Sequence, residues 1–270
     1  MSTSKAKALP TRQILLENID WRTYSRLLRI FAERRSIRLT YDRGRLEIMN
    51  RDIEPPTMQA EAPPARRLRL DDIDWQAYTR LLKVFAERPS IRLAYDRGRL
   101  EIMSPLPEHE SDADMLGRFV VVLTEELELP IKSGRSTTYR KRLKQRGLEP
   151  DNSYWIANEP AVRAKRRIDL KTDPPPDLAI EVDVTHSSLN RMGIYAALQV
   201  PEVWRLDENE LRFLILGEDG KYQEGPSRSF PGLRASDLPP FLALPGQLEE
   251  NALVRQFRAW VRQRIAENWK

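Results

Sequence analysis

The chain has 270 residues, enough for one large domain or for a domain with an extension, and its 40% apolar and 31% charged residues give a core wrapped in a very polar surface. A net charge of +5 is weak evidence for nucleic acid, because 40 acidic residues dilute the basic ones. The absence of cysteine excludes disulfides, thiolate catalysis and Cys-ligated zinc, and two histidines leave oxygen as the main ligand for any metal, which favours a hard cation such as magnesium.

The N-terminus (MSTSKAKALPTRQ) has no apolar signal core, and runs such as Phe119 to Leu123 are too short to span a bilayer, so a cytoplasmic location is the default expectation. The first organised feature is a repeat. Residues 19–49 recur at 73–103 with an offset of 54, and 24 of the 31 positions are identical. Two copies are too few for a solenoid and indicate a partial duplication. Each copy reads as a helix followed by a hairpin. In the second copy Tyr78, Leu81, Leu82 and Phe85 share a helical face, Pro89 marks the stop, and strands 91–95 and 99–103 flank the turn Asp96-Arg97-Gly98. The Pro-Pro pairs between the copies read as a linker. The expected organisation is a duplicated segment at 1–50, a linker at 51–68 and a main domain at 69–270. The first copy would serve dimerisation, compete for the second copy's docking place, or be a tolerated duplication without a role.

Further along, residues 111–128 read as a helix with Ser111 as N-cap and Leu116, Phe119, Val120 and Leu123 as its buried stripe. Strands are expected at 131–140 and 152–157, an irregular basic stretch at 158–175, and a strand at 177–184. A helix at 188–199, strands at 202–206 and 210–216, and an amphipathic helix at 249–268 complete the chain. The last helix would turn Leu253, Phe257, Trp260, Val261 and Ile265 inward. Strands and helices mix without strict βαβ alternation, which predicts an α+β fold, a mixed α/β sandwich.

Residues 177–184 carry the most chemistry. Alternation puts Leu178, Ile180, Val182 and Val184 on an apolar face and Asp177, Ala179, Glu181 and Asp183 on the other. Successive acids on that face lie about 6.6–7 Å apart and repel unless a cation compensates. A solvated polar face is the competing explanation. Asp151, after Pro150 at the start of the preceding strand, supplies a second acid. Two neighbouring strands presenting one acid each at the same level can share a metal, the arrangement of hydrolytic phosphodiester sites.

The run from Pro174 to Ser188 (PPPDLAIEVDVTHSS), with Gly193 to Trp204 (GIYAALQVPEVW), resembles the Uma-type restriction endonuclease family of the PD-(D/E)XK nuclease superfamily. The stretches 103–110 (MSPLPEHE), 136–140 (STTYR) and 149–151 (EPD) fit it too, and the resemblance spans about residues 70–265. It implies a restriction-endonuclease-like core, a mixed central sheet flanked by helices, and Mg2+- or Mn2+-dependent cleavage of DNA. Asp151 matches the strand aspartate and Glu181 the second metal carboxylate, with Asp183 assisting. Asp177, four residues before Glu181 on the same strand, is left as a support behind the metal ligands or a strand-start residue. Glu108 and His109 match the first-helix region. The superfamily's lysine, two residues after the glutamate, is replaced by Asp183, and its work falls to Arg191. Arginine can clamp a phosphate but cannot act as a base.

Residues 132–147 hold seven Lys/Arg and no acid, and Arg163 to Arg167 form a second basic cluster. Arg135, Arg140, Lys141 and Arg142 are the expected DNA contacts, with a solvated basic loop as the plainer alternative. Tyr139 and Tyr154 fit the core better than base stacking. His186 reads as a cap of the turn into helix 188–199, with the orienting of a site water as the alternative. Trp204, Trp260 and Tyr195 read as core. No phosphate-cradling glycine loop is present, so no nucleotide cofactor is expected. The expected function is a metal-dependent DNA endonuclease. The alternatives are a catalytically decayed nucleic-acid-binding protein on the same fold and a protein-interaction module centred on the duplicated segment. A homodimer, which would let both strands be cut, is left open.

Overall fold

The computed structural model describes residues 13–52, 67–88, 90–104, 107–135, 137–182, 189–207, 210–242 and 249–267, with only the backbone at 107–110. The elements run β1 (Gln13–Leu16), α1 (Trp21–Phe31), β2 (Ile37–Asp42), β3 (Arg45–Asn50), β4 (Arg67–Leu70), α2 (Trp75–Val84), β5 (Arg92–Asp96) and β6 (Arg99–Met103). They continue with α3 (Pro107–Glu126), β7 (Lys132–Ser133), β8 (Tyr139–Lys141), β9 (Arg146–Leu148), β10 (Asn152–Trp155), α4 (Glu159–Val162) and β11 (Leu178–Val182). The chain closes with α5 (Arg191–Leu198), β12 (Glu202–Asp207), β13 (Glu210–Leu216), β14 (Tyr222–Glu224), α6 (Pro239–Leu242) and α7 (Glu250–Ala266). This is a mixed α+β protein. None of the described helices is long and apolar enough to cross a membrane.

The chain divides into two compact units. The first joins both repeats to residues 142–148 and 185–194. Each repeat is a strand, a helix and a hairpin, one strand more than the sequence pattern predicts. That strand is β1 in the first copy and β4 in the second, so Arg67 and Leu68, counted above with the linker, belong to β4. The local reasons for the fold are duplicated. Asp20 and Asp74 cap their helices by accepting from Thr23 N (2.6 Å) and Ala77 N (2.7 Å). The hairpin turns place Arg43-Gly44 and Arg97-Gly98 both at positive φ, the two-residue form in which glycine relieves only half the strain. Tyr41 and Tyr95 each donate to the carbonyl just before the cap, Ile19 O (3.0 Å) and Ile73 O (2.9 Å). The sheets are β1-β3-β2 in the first copy and β4-β6-β5 in the second, where β9 adds itself antiparallel to β5.

The second unit is built on a six-stranded sheet in the order β14-β13-β12-β11-β10-β7. Its pairs are antiparallel except β11 with β12, which run parallel around the α5 connection. Leu178, Ile180 and Val182 of β11 face an apolar cluster that includes Phe119 of α3 and Phe257 and Val261 of α7. The predicted apolar face of this strand is therefore the core face. Arg258 and Arg262 of α7 bind Glu126 of α3 at 2.6 and 2.8 Å, and their hydrogen bonds hold that carboxyl below its ordinary range. On α7, Leu253, Phe257 and Val261 are buried, while Ile265 in the last turn is exposed. Helix α3 begins at Pro107, earlier than the Ser111 cap predicted. Proline suits the first turn, where its missing N–H costs nothing, so Ser111 lies inside the helix.

Candidate active site

Strand register brings two acids together. Asn152 pairs with Ile180 and Ser153 with Ala179 across β10 and β11, so one step on, Asp151 stands opposite Glu181. The backbone of Asp151 donates to Ile180 O (3.1 Å), and its Oδ2 accepts from Val182 N (2.6 Å), bracketing Glu181 on both sides. Both acids fall on the face away from the α3–α7 core, the face of Ala179 and Ser153. Asp151 is 9% and Glu181 3% exposed. The Glu181 Oε2 accepts from the Tyr195 hydroxyl at 2.6 Å, so α5 fixes the orientation of this carboxylate. Next along the same face, Ser153 and Tyr139 share a buried 2.8 Å hydrogen bond, and burial pushes the Tyr139 phenol up to about 12.

Two other buried acids show how a purely structural carboxylate is accommodated here. Asp177 sits just before β11, and its oxygens accept from Ile156 N (2.7 Å), Asn158 N (2.9 Å) and Asn158 Nδ2 (2.6 Å). It ties the strand start to the turn after β10, beside a cleft of about 370 Å³ that Arg228 and Ser229 also line. Glu202, fully buried on β12, accepts from Trp204 Nε1 (2.7 Å), Ser227 Oγ (2.7 Å), Arg228 N (3.1 Å) and Ser229 N (2.7 Å). Such donor sets offset the cost of burying charge. Glu202 carries no signal in the sequence, and Tyr195 reads there as core, which it is, without its contact to Glu181. Both lie in the stretch that carries the family resemblance.

The remaining expected residues divide three ways. Arg191 opens α5, is 6% exposed and lies one turn before Tyr195 on the same helical face. Glu108 and His109 belong to the first turn of α3 rather than preceding the helix. Asp183 and His186 lie outside the described residues. Among the described residues, no three His, Asp or Glu side chains group closely enough to hold a metal ion. Asp151 and Glu181 bring two carboxylates to facing positions, and carboxylate oxygens are the kind of donor that suits Mg2+ or Mn2+.

In the basic segment, Arg135, Arg140 and Arg142 are exposed, whereas the Lys141 Nζ reaches Leu198 O at 3.4 Å. Lys132 is structural: its Nζ donates to the carbonyls of Val162 (2.7 Å), Arg163 (3.1 Å) and Lys165 (2.6 Å). The second cluster is partly neutralised, with Arg163 on Glu159 at 2.8 Å and Lys165 on Asp173, and Arg166 and Arg167 beside them are exposed as well. Tyr139 and Tyr154 are buried, as core residues.

The model of the Uma2 family, described as "Putative restriction endonuclease", matches residues 75–249. The chain belongs to the Uma2 family. The match begins within the second repeat, takes in Asp151, Glu181, Tyr195 and Glu202, and leaves the first repeat outside. Among solved structures the chain is similar to one titled as a putative nuclease belonging to DUF820 from Anabaena variabilis ATCC 29413. That match has 17% identity and a TM-score of 0.38 and covers 65% of this chain and 98% of that one. No curated protein matches the sequence.

Proposed function

We propose that this Uma2 protein is a nuclease that hydrolyses DNA phosphodiester bonds with Mg2+ or Mn2+, held by Asp151 and Glu181. The observation that carries this reading is the placement of two nearly buried carboxylates at facing positions of adjacent strands, on the face of the sheet turned away from the core. Like charges so placed favour a cation between them. A divalent ion held there supplies the charge that polarises a scissile phosphate and makes water a nucleophile near neutral pH.

The chain's own residues have distinct tasks in this account. Tyr195 holds the Glu181 carboxylate in one orientation through its 2.6 Å hydrogen bond. Val182 N does the same for Asp151 at 2.6 Å. Asp183 assists as a third carboxylate. Arg191 stabilises charge on the phosphate in the transition state, because a guanidinium stays charged and donates in pairs. Glu108 and His109, on the first turn of α3, have the least specified role. Arg135, Arg140 and Arg142, with Arg166 and Arg167, offer exposed charge to the phosphate backbone.

Supercoiled plasmid incubated with Mg2+ or Mn2+ tests the proposal. Nicking is expected in the wild type, and Asp151→Asn or Glu181→Gln should lower it by about a hundredfold or more. One observation favours a second reading, DNA binding without cleavage: Asp183 stands where the superfamily carries a lysine, and Arg191 cannot act as a base. DNA retention with no metal-dependent nicking in the wild type would select that reading.

A further inference from the structure

The two repeats pack against each other through the same contact made twice. Arg34 donates to Asp72 O and, through Nη2, to Asp74 Oδ2 at 3.1 Å. Arg88 donates to Asn18 O and, through Nη2, to Asp20 Oδ2 at 2.9 Å. Adding the repeat offset of 54 to Arg34, Asn18 and Asp20 gives Arg88, Asp72 and Asp74. Residue i of one copy therefore meets j of the other, and j meets i, which is the definition of a two-fold, self-complementary interface.

The apolar residues of the two copies share one cluster. Ile14, Leu16, Ile19, Leu27, Phe31, Leu46 and Ile48 join one buried cluster with Leu68, Leu70, Ile73, Leu81, Phe85, Leu100 and Ile102, their counterparts at that offset. All seven first-copy members of the cluster thus have their second-copy equivalent in it. A docking surface evolved for an unrelated partner would not pair its own residues reciprocally.

We propose that this face of the second repeat is a homotypic docking surface, whose natural complement is the same face of a second copy, and that the first repeat fills it in cis. The second repeat keeps every group that self-pairing needs: Asp72, Asp74, Arg88 and the seven apolar side chains. The short tether between the copies holds the first repeat at an effective concentration on the order of millimolar, which outcompetes another chain at micromolar concentration. The duplication thereby caps an interface that would otherwise join two copies of the chain. This inference does not depend on the proposed activity.

The test starts from the full chain, with a specific protease site placed within 53–66 and cut after purification. Mass is then followed by sedimentation against concentration, and fold by circular dichroism. The uncut chain keeps its 31.5 kDa mass on dilution and concentration. After cutting, Arg34→Glu repels Asp74, and the first repeat leaves on dilution more readily than in the wild type. The remainder, with Arg88 and Asp74 intact, then pairs with itself, and its apparent mass doubles as concentration rises. Cut Arg34→Glu/Arg88→Glu releases the first repeat too, but its remainder stays monomeric. The proposal is overturned if Arg34→Glu does not weaken retention of the first repeat. It is also overturned if the released remainder stays monomeric or loses its fold instead of pairing, or if the double variant pairs as well as the single one.

Discussion

The two repeats put nearly the same sequence in two surroundings. Each has its own aromatic triad, Trp21-Tyr24-Tyr41 or Trp75-Tyr78-Tyr95, and the stacked tyrosine pair lies at 4.7 Å in one and 4.6 Å in the other. Their local structure is therefore the same. Their burial is not: Trp21 is 65% exposed, and Tyr24, Leu39 and Tyr41 are half-buried, while Tyr78, Leu93 and Tyr95 are at most 1% exposed. The second copy's hairpin takes β9 on its β5 edge, and Arg146 there reaches Asp96 at 2.8 Å. In the first copy β2 is a sheet edge and Asp42 is exposed. The difference shows that the shared interface belongs to the repeat itself, whereas the cover around the outer hairpin strand belongs to the context in which one copy sits.

Matched substitutions at the offset of 54 sharpen this contrast in denaturant titrations. The largest and most nearly equal losses are expected at the shared layer, where Leu27→Ala and Leu81→Ala should each cost about 2–5 kcal/mol. Unequal losses there would break the symmetry. On the outer hairpin strand, Leu93→Ala should cost about 2–4 kcal/mol and Leu39→Ala about 1 kcal/mol or less, because a half-exposed side chain forfeits less burial. The smallest effect is electrostatic. Burial pushes the Asp96 carboxyl up, but hydrogen bonds from Arg146 and Arg97 outweigh it and hold the pKa below the ordinary carboxylate value. A lowered folded-state pKa contributes stability that is present above the unfolded value and is lost as pH falls through the folded one. Asp96→Asn should remove that part of the acid-side loss of stability, and Asp42→Asn should leave it in place.

The sequence carries much of this architecture, for identifiable reasons. Identity over 31 residues exposes the duplication, and strict alternation in β11 separates its core face from its acidic face. The strands β1 and β4 were missed because four residues are too few to show a period. The expected start of α3 is late because Ser111, with Asp114 three residues on, has the pattern of an N-cap. The grouping of residues 142–148 with the repeats rests on a three-residue strand that only tertiary pairing defines. At the site, Asp151 and Glu181 are legible because each sits in a strand pattern with a fixed face. Tyr195 is not, since a buried phenol on an apolar helix looks like packing until its hydroxyl is seen on Glu181. Lys132 misleads in the opposite direction: within a run of bases it suggests phosphate contact, yet its ammonium is occupied by three carbonyls.

The central claim is that Asp151 and Glu181 act as a pair to hold one divalent ion. Titration of the full chain with Mn2+, followed by the loss of the free-ion electron paramagnetic resonance signal, tests it without requiring a DNA target. The account predicts one bound ion per chain, with affinity reduced about tenfold or more by either Asp151→Asn or Glu181→Gln. The double variant should be little worse than the single ones, as expected for a shared ligand pair. Equal Mn2+ binding in the wild type and both single variants, with the fold intact, would contradict it.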